Sequence, residues 1–359
     1  MKKPLGTKAV EEDNHRAWLN QVLPNHERLA PIVHSLLESM LQKEKIEYLN
    51  VTCRVKQFDE AVRKIGRKQY EDPAKQLTDL SGIRIVTFLE SQVTAISKLI
   101  RDLFDVDNEN SLDRADILGL DRLGYRSTHF VCTLGAQRAR LPEYSALGDL
   151  KFEIQIRTVL QHAWAELAHD RSFKFAVALP KKIERKLNLY SGMLEIVDSA
   201  FDEISREIDS YKNSLDSKQL VQLRDTELDS LSLKRFLDEI GAIQNIPLLT
   251  TTAERISNEL KQFGIKTIGE LEKLASEDFL REYRKHVHNE SGDGFLRLMV
   301  MYHDVDRYFA TTESTWRQMP LEAFALLSSK YGETKISELL AKHKKGLERD
   351  KADPEPPKT

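Results

Sequence analysis

The most constraining stretch of this chain is Phe152-Glu-Ile-Gln-Ile-Arg157, in which apolar and polar residues alternate without a break. Successive side chains on a β-strand point to opposite faces, so the run reads as a strand with Phe152, Ile154 and Ile156 on one side and Glu153, Gln155 and Arg157 on the other. A solvent-facing strand would show the same pattern. An acid, an amide and a guanidinium in line also supply a metal ligand or base, a base reader and a phosphate partner.

Three other short segments carry residues of the same kind. Arg54-x-Lys56 sits at the end of an alternating stretch, Tyr48 to Val55, and Lys64 follows on a helix expected from about Gln57 to Tyr70, so the three can form a clamp for a polyanion. The surrounding run holds Arg63, Arg67 and Lys68 as well, with only Asp59 and Glu60 against them, a pattern that a solvated helix face also produces. In Asp79-Leu-Ser-Gly-Ile-Arg84 an acid precedes a strand and an arginine lies on it, with a glycine between them that lets a ligand approach the backbone. Asp79 can hold magnesium, which needs only one or two carboxylates beside phosphate and water, or it can simply pair with Arg84. In Gly124-Tyr-Arg-Ser-Thr-His129 the residues Tyr125, Ser127 and His129 share one strand face, where a ring can stack on a purine and polar groups can read its edge.

The remaining pattern predicts strands over Ile83 to Leu89, Tyr125 to Leu134 and Leu150 to Arg157, the last two paired antiparallel. Amphipathic helices are expected over Asn25 to Tyr48 and Ser91 to Phe104, with a surface loop over residues 105 to 122. Beyond Thr158 the periodicity is helical almost throughout, including a long segment around Lys181 to Lys212. The polar stretch Ser214 to Asp229 is the expected boundary between domains. Gly264 as a helix C-cap and Thr267 as the next N-cap predict a helix, tight turn and helix over Leu260 to Leu271, explained by plain helical packing. The expected organisation is an N-terminal segment over 1–24, an α+β domain over 25–215, an all-α domain over 225–345 and a disordered tail over 346–359.

Bulk properties narrow the function classes. A net charge of −3 argues against a surface that clings to nucleic acid as a whole. Only Cys53 and Cys132 are present, both on expected strands, which suits reduced packing residues in a reducing cytoplasm. No apolar run is long enough for a membrane span, and no secretory leader is legible, so no membrane partner is expected.

At the segments quoted above, together with His162-Ala-Trp-Ala-Glu-Leu-Ala-His169, the chain resembles the synthetase domain of the RelA/SpoT family over about residues 25 to 215. The resemblance implies a nucleotidyltransferase-like mixed sheet flanked by helices, and a magnesium-dependent enzyme that moves the β,γ-diphosphate of ATP to the 3′-hydroxyl of GDP or GTP. It implies that Arg54, Lys56, Lys64 and Arg84 bind ATP and that Asp79 and Glu153 are the metal ligands and catalytic acids, Glu153 serving either the ion or the 3′-hydroxyl. Tyr125 would stack on the acceptor guanine, and Ser127, His129, Gln155 and Arg157 would complete the acceptor and phosphate contacts. Glu166 and His169 are read as structural support, as an i, i+3 pair.

No hydrolase metal motif is legible, so product hydrolysis is not expected. The helical extension from about residue 225 matches no regulatory module. Three alternatives stay open: a synthetase that the extension regulates or oligomerises, a toxin-type relative that modifies the 3′ end of tRNA and carries a fused neutraliser or phage sensor, and a non-catalytic guanosine-nucleotide-binding module.

Overall fold

The structure is a computed structural model and describes residues 5–113, 127–170, 180–244, 248–249, 254–288 and 290–348. Its contacts divide the chain into two units, Met1–Arg206 and Glu207–Thr359.

The first unit is α+β and is built on one six-stranded mixed sheet, with helices α1 (Leu5–Lys43), α2 (Phe58–Lys68), α3 (Glu90–Leu103), α4 (Val159–Asp170) and the start of α5 (Lys181–Asp216). Its strands are β1 (Asn50–Val55), β2 (Ser81–Thr87), β3 (Asp105–Val106), β4 (Leu112–Asp113), β5 (Thr128–Thr133) and β6 (Phe152–Thr158), in the order β1-β2-β6-β5-β3 with β4 also on β5. β2 and β6 run parallel at the centre, and β1, β3, β4 and β5 join antiparallel. The expected antiparallel pairing of the last two long strands is what the chain adopts.

One sheet face is apolar and closed. Ile83, Ile85, Phe130, Phe152, Ile154 and Ile156 lie on it against Leu29, Val33, Leu37 and Leu41 of α1 and Ile96 and Ile100 of α3. The alternation in the sequence thus leaves Glu153, Gln155 and Arg84 on the opposite face.

A second, smaller core joins Leu19 of α1, Ala61 and Ile65 of α2, and Leu77 and Leu80. It explains why α1 begins some twenty residues earlier than the sequence suggests and runs through Pro24 and Pro31. A proline inside a helix costs about 3 kcal/mol, and the burial of Leu19, with Trp18, Val22 and Leu23 packed beside it, offsets that cost. Residues 5–24 are therefore part of this domain rather than a separate segment. The stretch expected to be a loop over 105 to 122 contributes β3 and β4, short edge strands whose two-residue length gives no readable alternation.

Cysteine placement corrects one expectation. Cys132 is buried, which pushes its thiol up to about 12, but Cys53 is exposed on the edge strand β1 and packs no core.

The second unit is helical: α6 (Ser230–Gln244), α7 (Glu254–Phe263), α8 (Ile268–Leu274), α9 (Glu277–His286), α10 (Gly292–His303), α11 (Val305–Thr311), α12 (Leu321–Tyr331) and α13 (Glu333–Lys342). Two ladders of two residues each are its only strands among the described residues. Its core gathers Phe236, Phe263, Phe279 and Phe295 around α10, whose described positions are mostly buried. The expected caps are present: Gly264 adopts φ +100° after α7, and Thr267 Oγ1 accepts from Glu270 N–H at the start of α8. The division between units falls inside α5, ahead of the expected boundary, because Leu215 near the end of that helix belongs to the second core. Most of the tail, residues 349–359, lies outside the described residues, while Gly346 and Leu347 pair with Gln318 and Met319.

Candidate active site

Strand register assembles the polar face. Arg54 on β1, Gly82 on β2 and Glu153 on β6 form one row, and Thr52, Arg84, Gln155 and His129 form the next. Gly82 leaves a hollow between Arg54 and Glu153, since a Cβ built there would meet only Arg54 Cγ, at 3.9 Å. Above that hollow is a cavity of about 240 Å³ lined by Arg54, Asp79, Arg84, Glu153, Gln155 and Glu166, with Thr52 and Cys53 at its edge. Asp79 and Glu153 thus face one space.

Asp79 is fixed from both sides, by buried Leu77 and Leu80 in the smaller core and by Ser81 at the start of β2. Ser81 Oγ donates to the His26 carbonyl at 3.2 Å and lies 2.8 Å from His26 Nδ1, so α1 holds the strand two residues from the acid. The Lys56 backbone N–H donates to the Leu80 carbonyl, which brings the basic strand alongside. Asp79 Oδ2 then accepts from Lys56 Nζ at 2.9 Å and Lys64 Nζ at 2.6 Å. Burial pushes the Asp79 pKa up, but the two ammonium groups outweigh it and the acid ends below its ordinary value. Asp79 Oδ1 is buried and has no hydrogen-bond partner. Such an atom is costly unless something occupies the space beside it.

Glu153 is held differently. Its Oε1 accepts from His129 Nδ1 at 2.7 Å and its Oε2 from Gln155 Nε2 at 3.0 Å. A carboxylate only accepts, so the proton sits on Nδ1, and in the neutral ring Nε2 accepts from Ser127 Oγ at 2.6 Å. Burial raises the Glu153 pKa, yet His129 and Gln155 bring it below the ordinary value despite opposition from the nearby charge of Asp79. Both acids are ionised at neutral pH.

Beside the first cavity lies a second of about 490 Å³, lined by Arg54, Lys56, Arg63, Lys64 and Arg67 with Glu60 as its one acid. The positive run noted in the sequence is therefore a concave cradle and not merely a solvated helix face. Arg54 borders both cavities.

The structure brings together Arg54, Asp79, Arg84, Glu153 and Gln155 in the first cavity, and Lys56 and Lys64 in the adjoining one. His129 and Ser127 stand behind Glu153 as a hydrogen-bonded chain. Arg157 is buried at the far end of β6 and lines neither cavity. Tyr125 lies outside the described residues, as does the side chain of His169.

Glu166 is the residue that sequence reading undervalued. Its Oε1 accepts from Arg84 Nη1 at 2.8 Å, across 82 residues of chain, and lies 3.7 Å from His162 Nδ1. Burial and the charge of Arg84 hold the His162 pKa below its usual value. The signal available was the i, i+4 spacing of His162 and Glu166, which turns both toward β2. Among the described residues no cluster of three or more acids, histidines or cysteines could hold a metal by itself, and no helix is long and apolar enough to cross a membrane.

Residues 53–177 match the family model for the region found in RelA and SpoT proteins. The GTP pyrophosphokinase YjbM of Bacillus subtilis (strain 168) is 25% identical over 189 residues, covering 52% of this chain and 85% of that protein. The GTP pyrophosphokinase YwaC of the same organism is 27% identical over 160 residues, covering 44% of this chain and 73% of that protein. Among solved structures, small alarmone synthetase 1 from Bacillus subtilis covers 53% of this chain and 97% of its own, at 22% identity and a TM-score of 0.44. Apart from Thr52, every polar side chain placed at the two cavities lies between residues 53 and 177, the span that matches the RelA/SpoT family model.

Proposed function

We propose that this domain transfers the β,γ-diphosphate of ATP to the 3′-hydroxyl of a guanosine nucleotide, GDP or GTP. The observation that carries the reading is Asp79, a part-buried acid with one oxygen held by two lysines of the basic cradle and the other buried without a partner, beside Glu153 in one cavity. The similarity to two GTP pyrophosphokinases supports the reaction class.

A magnesium ion fits these residues, because it takes one or two carboxylates and completes its octahedron with phosphate oxygens and water. Asp79 and Glu153 would hold it, and when bound with ATP it would neutralise charge on the phosphates. Lys56 and Lys64 now occupy Asp79. A triphosphate in the cradle draws both ammonium groups onto its own oxygens, which frees the acid. Arg54 spans the two cavities and orients the nucleotide.

The bond formed joins the acceptor 3′-oxygen to the β-phosphorus, and the bond broken is the one from that phosphorus to the α,β-bridging oxygen, so AMP leaves. Catalysis of this kind rests on positioning and charge neutralisation. Glu153, kept ionised by His129 and Gln155, accepts the hydrogen bond of the 3′-hydroxyl and takes its proton. Ser127 and His129 fix the orientation of that carboxylate. Tyr125 supplies the ring for the guanine, so Tyr125→Ala should raise the acceptor KM about tenfold with little change in kcat.

The test is to incubate the full chain with ATP, magnesium and, in parallel, GDP, GTP, GMP or bulk tRNA, with mass detection of products. GDP or GTP should yield AMP and the 3′-diphosphorylated nucleotide in equal amounts. AMP formed only with tRNA would transfer the reading to a tRNA-modifying enzyme, and no AMP with any acceptor would remove it.

A further inference from the structure

The second unit holds a cavity of its own, of about 180 Å³. Leu298 and Met301 reach it from α10, Ala323 from the first turn of α12, and Trp316 and Met319 from the link between α11 and α12. All of these but Trp316 are buried, so the walls are apolar. Packed interiors leave few voids larger than a water molecule, and an apolar space of about 150 Å³ is enough to take up a benzene ring. Two thioethers and an indole around such a space suit a single aromatic ring, because methionine adapts its shape to what it meets.

One lining residue brings hydrogen-bond donors. Arg297, one turn before Met301 on α10, commits Nε and Nη2 to Glu259, and its third nitrogen, Nη1, donates to no group among the described residues. A guanidinium has no acceptor, so what it can bind there is an acceptor oxygen.

Charge selects the kind of oxygen. Glu259 balances one cation, and Lys345 adds a second: its Nζ lies 4.6 Å from the centre of the Trp316 ring and donates to the Ser314 and Trp316 carbonyls. Burial, with the charges of Arg297 and Arg317, holds the Lys345 ammonium below its ordinary value against the pull of Glu259, so positive charge is in excess here. Helix α12 adds to it. Pro320, at its N-cap and among the lining residues, gives the first N–H groups no side-chain acceptor, which leaves the positive end of the helix open. A neutral ligand leaves that excess unanswered and an amine opposes it. A carboxylate answers it.

We propose that this cavity is a binding site for a small aromatic carboxylate, with the ring against Trp316, Met301 and Met319 and the carboxylate accepting from Arg297. Every residue of the site belongs to the second unit, so its test is independent of the transfer reaction assigned to the first.

The test titrates the full chain with phenylacetate and with its neutral isostere phenylacetamide by isothermal titration calorimetry, and follows tryptophan fluorescence in parallel. Phenylacetate should bind with a Kd of about 1 mM or below, and phenylacetamide about tenfold more weakly or worse. Ala323→Leu, which fills the cavity from its wall, should weaken phenylacetate binding by about 30-fold or more, with circular dichroism melts as the check on folding. The fluorescence change should disappear in Trp316→Phe, which leaves Trp18 and Trp164 in place, while calorimetry finds an affinity within about threefold of wild type. The comparison of acid with amide uses the wild-type chain and so decides the matter even where a variant folds poorly. No binding of phenylacetate up to about 20 mM would overturn the proposal. Equal affinity for acid and amide would remove the carboxylate from it, and undiminished binding by a folded Ala323→Leu chain would place the ligand elsewhere.

Discussion

Asp79 in the first unit and Glu259 in the second are both carboxylates taken largely out of water beside cations, and they are satisfied to different degrees. Glu259 accepts from Arg297 Nε and Nη2 at 2.8 Å each and from the Tyr308 hydroxyl at 2.7 Å, and Trp316 Nε1 donates to that same hydroxyl at 3.0 Å. Both of its oxygens are used. Asp79 spends one oxygen on two lysines and leaves the other buried and unpartnered at the wall of a cavity. A closed network stabilises and specifies a core, whereas an open one costs stability and is kept where a ligand completes it. Glu259 reads as architecture and Asp79 as chemistry.

This contrast is open to direct attack. Asp79→Asn should lower the transfer rate by on the order of 10³-fold, about 4 kcal/mol, while the unfolding midpoint shifts little. Near wild-type turnover in that variant would dissolve the distinction. Arg297→Met should do the reverse, costing about 3–5 kcal/mol of stability in denaturant titration of the second unit, because it strands a buried carboxylate. An Arg297→Met chain as stable as wild type would show that the network is dispensable.

Acid should separate the units as well. Burial of His26 against Ser81 lowers its pKa from 6.5 to about 4, so the folded ring stays neutral where the unfolded one takes a proton. The unfolded state then binds more protons as pH falls from about 6.5, and the first unit should lose about 3 kcal/mol by pH 4. Asp79 and Glu153 have depressed folded pKa values, so their contribution is present above the ordinary carboxylate range and is lost only below it, at lower pH than the His26 effect. A His26→Asn variant should flatten the loss between pH 6.5 and 4, as read by thermal melts across that range. A wild-type first unit equally stable at both ends of the range would refute the buried neutral ring.

The smallest effect belongs to Glu166. Its side chain is half exposed and it acts by holding Arg84, so Glu166→Gln should cost about tenfold in kcat/KM, carried mostly by the KM for ATP. An effect confined to kcat would give Glu166 a different role.

What the sequence made legible follows from the range over which each signal acts. The face carrying Glu153, Gln155 and Arg84 could be read because strand alternation is local and one side must be buried. The caps at Gly264 and Thr267 were readable for the same reason. The partner of Arg84 was not, since Glu166 reaches it across 82 residues and its nearest sequence signal was the spacing to His162. The lysine pair on Asp79 was anticipated as a phosphate clamp, and sequence alone does not show that the two lysines neutralise the acid in the free chain. The extent of α1 was hidden by its prolines, because the packing that tolerates them comes from Ala61, Ile65, Leu77 and Leu80. The identity of the second unit's core was equally hidden, since Arg297 and Glu259 are 38 residues apart on different helices.

In the proposed mechanism Asp79 and Glu153 share one divalent ion with the nucleotide. Manganese is a magnetic stand-in for magnesium, and its binding to the full chain with a non-hydrolysable ATP analogue can be followed by electron paramagnetic resonance. Wild type should bind one manganese ion per chain together with the analogue, and Asp79→Asn and Glu153→Gln should each weaken that binding by about tenfold or more. Equally tight manganese binding in both variants would contradict the shared-ion site.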